Sequence, residues 1–183
     1  MGAFDSQKND DPGPYGAAFV EIISAATLMP LDAGQPNELA RKLLGDFSPN
    51  KAFGSAKIVD TDMARCCVAG VWLLHNFLDE SHTISQGITS TSGSFWHGIM
   101  HRREGDFSNA KYWFDRAGDH PVFTALTTAD GSPWDSHRFV DECQRALRAG
   151  DATQIAALRQ SQQREWQTLF DFCYRAATGE REA

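Results

Sequence analysis

The stretch that decides the fold runs from Thr61 to Ser81, TDMARCCVAGVWLLHNFLDES. Cys67, Val71, Leu74 and Leu78 recur at steps of three and four, so they share one face of an α-helix, and Trp72 and Phe77 widen that face. Thr61 supplies a cap and Asp62 an acidic first turn, which suits the free backbone N–H groups and the helix dipole. Apolar residues on nearly every side predict a central, covered helix over 61–81.

Other segments read as helices on the same grounds. Ala17 to Leu28 places Phe19, Ile22, Ile23 and Ala26 at helical steps and stops before Pro30, and Asn37 to Phe47 gathers Leu39, Leu43, Leu44 and Phe47 on one side. Downstream, helices are predicted over Phe95–Glu104, from Asp106 or Ser108 to Arg116, over Asp135–Ala149 and over Thr153–Ala177. Thr83 to Ser94, a run of hydroxyl and glycine residues, reads as a loop. Nothing alternates with period two for more than a few residues. The expectation is an all-α, single compact domain over 17–178, with about six to eight helices packed around the helix 61–81. Residues 1–16, rich in Asp, Asn, Gly and Pro, are expected to form a disordered arm, and 179–183 a disordered tail.

Composition excludes several classes of function. The 183 residues suit one domain with its own core. They carry 24 acidic against 17 basic side chains, net charge −7, so the basic excess that holds a protein on phosphate backbones is missing and no nucleic acid is expected as partner. No apolar run is long enough to span a bilayer, so no membrane is expected either. Met1 to Ser6 matches a loose acylation pattern, but the flank that follows is acidic where a second membrane signal would be basic. The four cysteines are too sparse for a disulfide framework and contain no CxxC pair; they read as buried free thiols. A soluble, cytoplasmic protein is the expectation.

Five of the six histidines lie between Trp72 and Pro121. On a helix reaching residue 82, His75, Asp79 and His82 share one face, and His97, His101 and Glu104 repeat that spacing on the next helix. Facing stripes would make a histidine-rich pocket, with His75, Asp79, His82, His97 and His101 as ligands for one divalent transition metal: zinc, iron or manganese. His97-x-x-x-His101 is the spacing by which one helix offers two ligands, although Gly98 stands where metalloproteases carry a glutamate. Asp79, His101 and Glu104 are the candidate catalytic residues, Glu104 as acid or base. Arg102, Trp96, Tyr112 and Trp113 are the candidate binding residues for a small polar or anionic molecule, because guanidinium beside aromatic faces holds such groups. Arg103 and Arg116 are expected to pair with acidic neighbours at helix ends.

Three readings stay open: a metal site, a metal-free polar pocket, and a buried structural network. The first two suit an enzyme of hydrolase or lyase type, with a metal-bound water or with metal-free acid–base work. The alternative is a non-enzymatic ligand-binding or protein-interaction module, the latter using the glutamines Gln154, Gln160, Gln162, Gln163 and Gln167. The words DESHTISQ (79–86) and FWHGIMHRREGDF (95–107) resemble those of a family of uncharacterised proteins, and the resemblance implies no activity or cofactor.

Overall fold

Acceptor side chains start six of the helices. In the computed structural model, which describes residues 15–128 and 131–180, the helices are α1 (Ala17–Ser24), α2 (Glu38–Gly45), α3 (Pro49–Phe53), α4 (Thr61–Leu74), α5 (Leu78–Ser85), α6 (Thr91–Glu104), α7 (Phe107–Ala117), α8 (Pro121–Ala125), α9 (Ser136–Ala149) and α10 (Ala152–Thr178). Asp60, Ser90, Asp106, Asp135 and Asp151 each accept a hydrogen bond from a first-turn backbone N–H. Gly105, Gly150 and Gly179 close α6, α9 and α10 in the left-handed conformation. The described residues contain no strand, only one isolated bridge between Thr127 and Pro133. The fold is all-α, and no helix of the described residues is long and apolar enough to cross a membrane.

Two expectations about helix bounds are corrected. The central helix ends at Leu74, seven residues early, because Asn76 adopts φ 65°. The Asn76 N–H then bonds the Leu73 carbonyl at 3.1 Å and the Phe77 N–H bonds the Trp72 carbonyl at 3.0 Å. This pair of bonds is a Schellman closure with asparagine in the left-handed place, and the accompanying apolar contact is present: the Trp72 and Phe77 rings meet edge-on at 5.3 Å. The loop expected over Thr83–Ser94 shrinks to five residues between α5 and α6. Thr83, Ser85, Thr91, Ser92, Gly93 and Ser94 are helix residues of small bulk. A Cβ on Gly93 would stand 2.5 Å from the Ile88 carbonyl oxygen.

The same economy of space sets the core. All twelve residues from Ser92 to Arg103 are buried, so α6 shares the centre with α4, which buries nine of its fourteen. Gly70 of α4 lies against the Trp96 ring of α6, and Gly98 of α6 against the Phe114 ring of α7. The glycines let each aromatic face lie on a helix backbone. Cys66, Cys67, Cys143 and Cys173 are buried free thiols, as expected. The arm and the tail fall, for residues 1–14 and 181–183, outside the described residues. Tyr15 is part of the fold: its ring meets Phe170 and Tyr174 edge-on at 5.1 and 5.2 Å, and its hydroxyl donates to Asp171.

A Cβ at Gly70 would stand 2.8 Å from Trp96 Cη2, on a rigid ring with no room to retreat. Gly70→Ala is therefore expected to destabilise by about 1–3 kcal/mol despite the better helix propensity of alanine. Gly45→Ala, in open space at the end of α2, is expected to be neutral or to stabilise by up to about 1 kcal/mol. Urea unfolding of the two variants makes the comparison.

Candidate metal centre

Helices α5 and α6 bring three imidazoles together. His97 and His101 lie one turn apart on α6, and His82 reaches them from α5. The His82–His97, His97–His101 and His82–His101 ring centroids are 4.6, 4.7 and 5.5 Å apart. One ring nitrogen from each lies within 4.8 Å of the other two. Nitrogens on a tetrahedral zinc stand roughly 3.4 Å apart for bonds of about 2.0–2.1 Å, so modest side-chain rotation closes the set. His97 Nδ1 is buried with no hydrogen-bond partner in the protein, whereas buried polar atoms are ordinarily paired. Burial, followed by the neighbouring imidazoles of His101 and His82, pushes the His97 pKa down to about 3. His97 is thus a neutral imidazole, the form that ligates a metal.

Helix α7 walls the centre. The Trp113 ring stacks on the His97 ring at 3.9 Å with 16° between planes, which fixes how His97 faces its neighbours. His101 Nδ1 is 2.6 Å from Glu104 Oε1, and Asn109 Nδ2 is 3.0 Å from His101 Nε2. The Asp106 carboxylate caps α7 through the Asn109 N–H, which holds its pKa below the usual carboxylate range. Sequence reading missed Asn109 and Asp106. An N-cap three residues before an asparagine was the available signal, and it gives no hint of a histidine across the turn.

Other candidates go elsewhere. His75 is the residue after α4, so the stripe with Asp79 and His82 does not form. Its ring is fully used: Asn37 Nδ2 lies 3.0 Å from Nδ1, and Nε2 donates to the Ile22 carbonyl at 2.9 Å. Asp79 is exposed in the first turn of α5 and belongs to no ligand cluster among the described residues. Trp96 lies in the core across Gly70 and is not a ligand platform. Tyr112 is half exposed, and the Arg116 guanidinium covers Tyr112 and Trp113 at 5.9 and 5.3 Å where pairing with an acidic neighbour was expected.

The two adjacent arginines are structural. Arg102 is fully buried and grips Glu165 of α10 bidentately, Nη1 to Oε1 at 3.0 Å and Nη2 to Oε2 at 2.5 Å, with Gln162 Oε1 at 3.3 Å and the Phe139 ring at 4.5 Å. It offers nothing to a substrate. Gln162, expected on an exposed partner face, is buried in the same contact. Arg103 also fixes a helix end, but through carbonyls: Leu73 at 2.6 Å, Asp32 at 3.2 Å and Ala33 at 3.3 Å, with Asn76 Oδ1 at 2.5 Å.

A buried Ser92–His120 pair resembles a nucleophile with its base, yet its tautomer is the opposite one. The Val122 N–H donates to His120 Nδ1 at 3.2 Å, so Nε2 carries the proton and donates to Ser92 Oγ at 2.9 Å. A cleft of about 560 Å³, lined by Val122, Phe172 and Arg175 among others, lies between α8 and α10, and none of the three clustered histidines lines it.

No family model, curated protein or solved structure matches the chain. Function therefore has to be argued from the geometry of the centre. The words 79–86 and 95–107 map onto α5, α6 and the start of α7, the segments that build it.

Glu165→Ala leaves a buried guanidinium without its carboxylate and is expected to cost about 3–5 kcal/mol in urea unfolding. A substrate-binding Arg102 would have left stability unchanged in that variant. Burial lowers the pKa of His75, and that of His120 to about 4, from an ordinary 6.5. The unfolded chain therefore takes up these protons first. Stability from these residues is complete above pH 6.5 and is lost as the pH falls toward 4. The melting temperature is expected to follow that fall, and His120→Asn, which keeps a capping side chain without the titration, to make it shallower.

Proposed function

We propose that the protein binds one divalent transition metal ion, zinc, iron or manganese, through His82, His97 and His101, and uses it in hydrolase- or lyase-type chemistry on a small polar or anionic molecule. The observation that carries this reading is the convergence of one ring nitrogen each from His82, His97 and His101 within 4.8 Å, on a cluster whose His97 Nδ1 is buried and unpartnered. Three neutral nitrogen ligands leave a coordination position open, which is the pattern of catalytic rather than structural zinc sites. An ion so held supplies Lewis acidity and lowers the pKa of a water. The protein's part is to hold the ligands on two helices and to shield one side of the centre with Trp113. Arg116, on the far turn of α7, is the cation placed to attract an anionic substrate.

A second reading is favoured by the cleft between α8 and α10: a non-enzymatic module that binds a small ligand there, with no role for the imidazoles. Metal analysis separates the two. Purified full-length protein, stripped and titrated with Zn²⁺ or Co²⁺, is expected to take up one equivalent. His97→Ala combined with His101→Ala is expected to abolish that uptake, along with the rise in melting temperature that bound metal gives, about 2.7 kcal/mol of stability at a free ion concentration of 100 times Kd. Hydrolysis of chromogenic phosphate or carboxylate esters is expected to track metal content. Absence of uptake by the wild-type chain overturns the metal reading.

A further inference from the structure

We infer that Glu104 is a positioning residue of this centre, holding His101 in the tautomer that offers its Nε2 lone pair to the cation. The inference rests on the metal reading for its purpose, and on the Glu104–His101 contact for its geometry. An ionised carboxylate can only accept, so the 2.6 Å contact puts the imidazole proton on Nδ1. A neutral ring with its proton on Nδ1 has its lone pair on Nε2. Asn109 Nδ2 lies 3.0 Å from Nε2 and 3.4 Å from Nδ1, so the amide sits over the ring and takes no side between the tautomers, which the Glu104 contact alone decides.

The position of Glu104 argues that this contact is its purpose. It stands in the last turn of α6, where the helix dipole disfavours a negative side chain and favours a cation. Lysine or arginine would be the locally consistent choice. Among the described residues its side chain has one ion-pair partner, His101, and no lysine or arginine neutralises it. Gly105 turns the backbone out of the helix immediately afterwards at φ 91°, so no further helical turn competes for the space beside His101. A local rule broken without another compensating contact marks a functional placement. The arrangement is carboxylate, histidine, cation, in which the outer carboxylate fixes the ring's orientation and raises the basicity of the ligating nitrogen.

Asn109 packs on the same ring, with its amide near both ring nitrogens. Its own backbone N–H is held by Asp106, which keeps the side chain at this distance.

The competing assignment makes Glu104 a ligand. His101, Glu104 and Asp106 themselves place three ligand atoms within 4.8 Å, and a second cation there would use His101 Nδ1. Glu104→Ala and Glu104→Gln in the full chain decide between these. Two readouts are taken: the tautomer of His101 by long-range ¹H–¹⁵N correlation in the metal-free protein, and Zn²⁺ affinity and stoichiometry by competition with a chromogenic chelator. Wild type is expected to show an unprotonated Nε2 on His101. Glu104→Ala is expected to bind one equivalent still, about 10–100-fold more weakly, with the tautomer mixed. Glutamine keeps an acceptor oxygen, so Glu104→Gln is expected to restore both tautomer and most of the affinity. Unchanged tautomer in the alanine variant overturns the inference, as does unchanged affinity. Loss of one of two equivalents overturns it in favour of a second ion site. Failure of the wild type to bind zinc at all removes the metal reading, while the tautomer measurement still reports on the Glu104–His101 contact by itself.

Discussion

The Arg103 guanidinium is the contact on which the arrangement depends. It is a charge buried without a carboxylate, and it is tolerable because carbonyls from the end of α4 and from the segment between α1 and α2, with the Asn76 amide, accept its protons. Burial, and then the neighbouring Arg102, push its pKa well below the ordinary arginine value. The same group makes a second bond to the Leu73 carbonyl, which the Asn76 N–H also reaches, and grips the asparagine that makes α4 stop. One side chain of α6 thus holds the point at which α4 ends and the chain turns toward α5. Had α4 continued, His82 would point from a straight rod and not from a short second helix.

Consecutive residues of α6 serve three separate neighbours. His101 faces the other two histidines, Arg102 reaches α10 and Arg103 reaches the end of α4. A helix turns by about 100° per residue, so three successive long side chains fan out through most of a circle. The two arginines solve one problem differently. Arg102 has a carboxylate in bidentate contact, which, against the opposing effect of burial, keeps its pKa above the ordinary value. Arg103 has dipoles only. Neither solution is available to lysine, whose single ammonium lacks the planar fork.

Sequence periodicity was enough to find the all-α fold and most helices, because apolar stripes are local signals, although the cap read at Thr61 belongs to Asp60. It was also enough to find His97 and His101 one turn apart, on a helix that starts at Thr91 and not at the expected Phe95. It failed where three-dimensional neighbours decide. Nothing local forces Asn76 into the left-handed region, so His75 looked continuous with His82. Small residues between Thr83 and Ser94 looked like a loop because the Ile88 backbone, the reason for Gly93, is invisible from composition. Arg102 looked like a ligand for substrate because its carboxylate, Glu165, lies 63 positions downstream. Buried charges with distant partners are what a single chain read in order conceals best.

The complete burial of Ser92 to Arg103 has a consequence for how this chain can change over time. A helix with one solvated side can drift in sequence along that side. This one has none: Gly93 is fixed by Ile88 and Gly98 by the Phe114 face, histidines by each other, arginines by a carboxylate and a row of carbonyls. Substitutions must accumulate in α2, in the outer faces of α9 and α10, and in the connections. In a much-diverged descendant, the dozen residues of α6 are where kinship with this chain would still be readable.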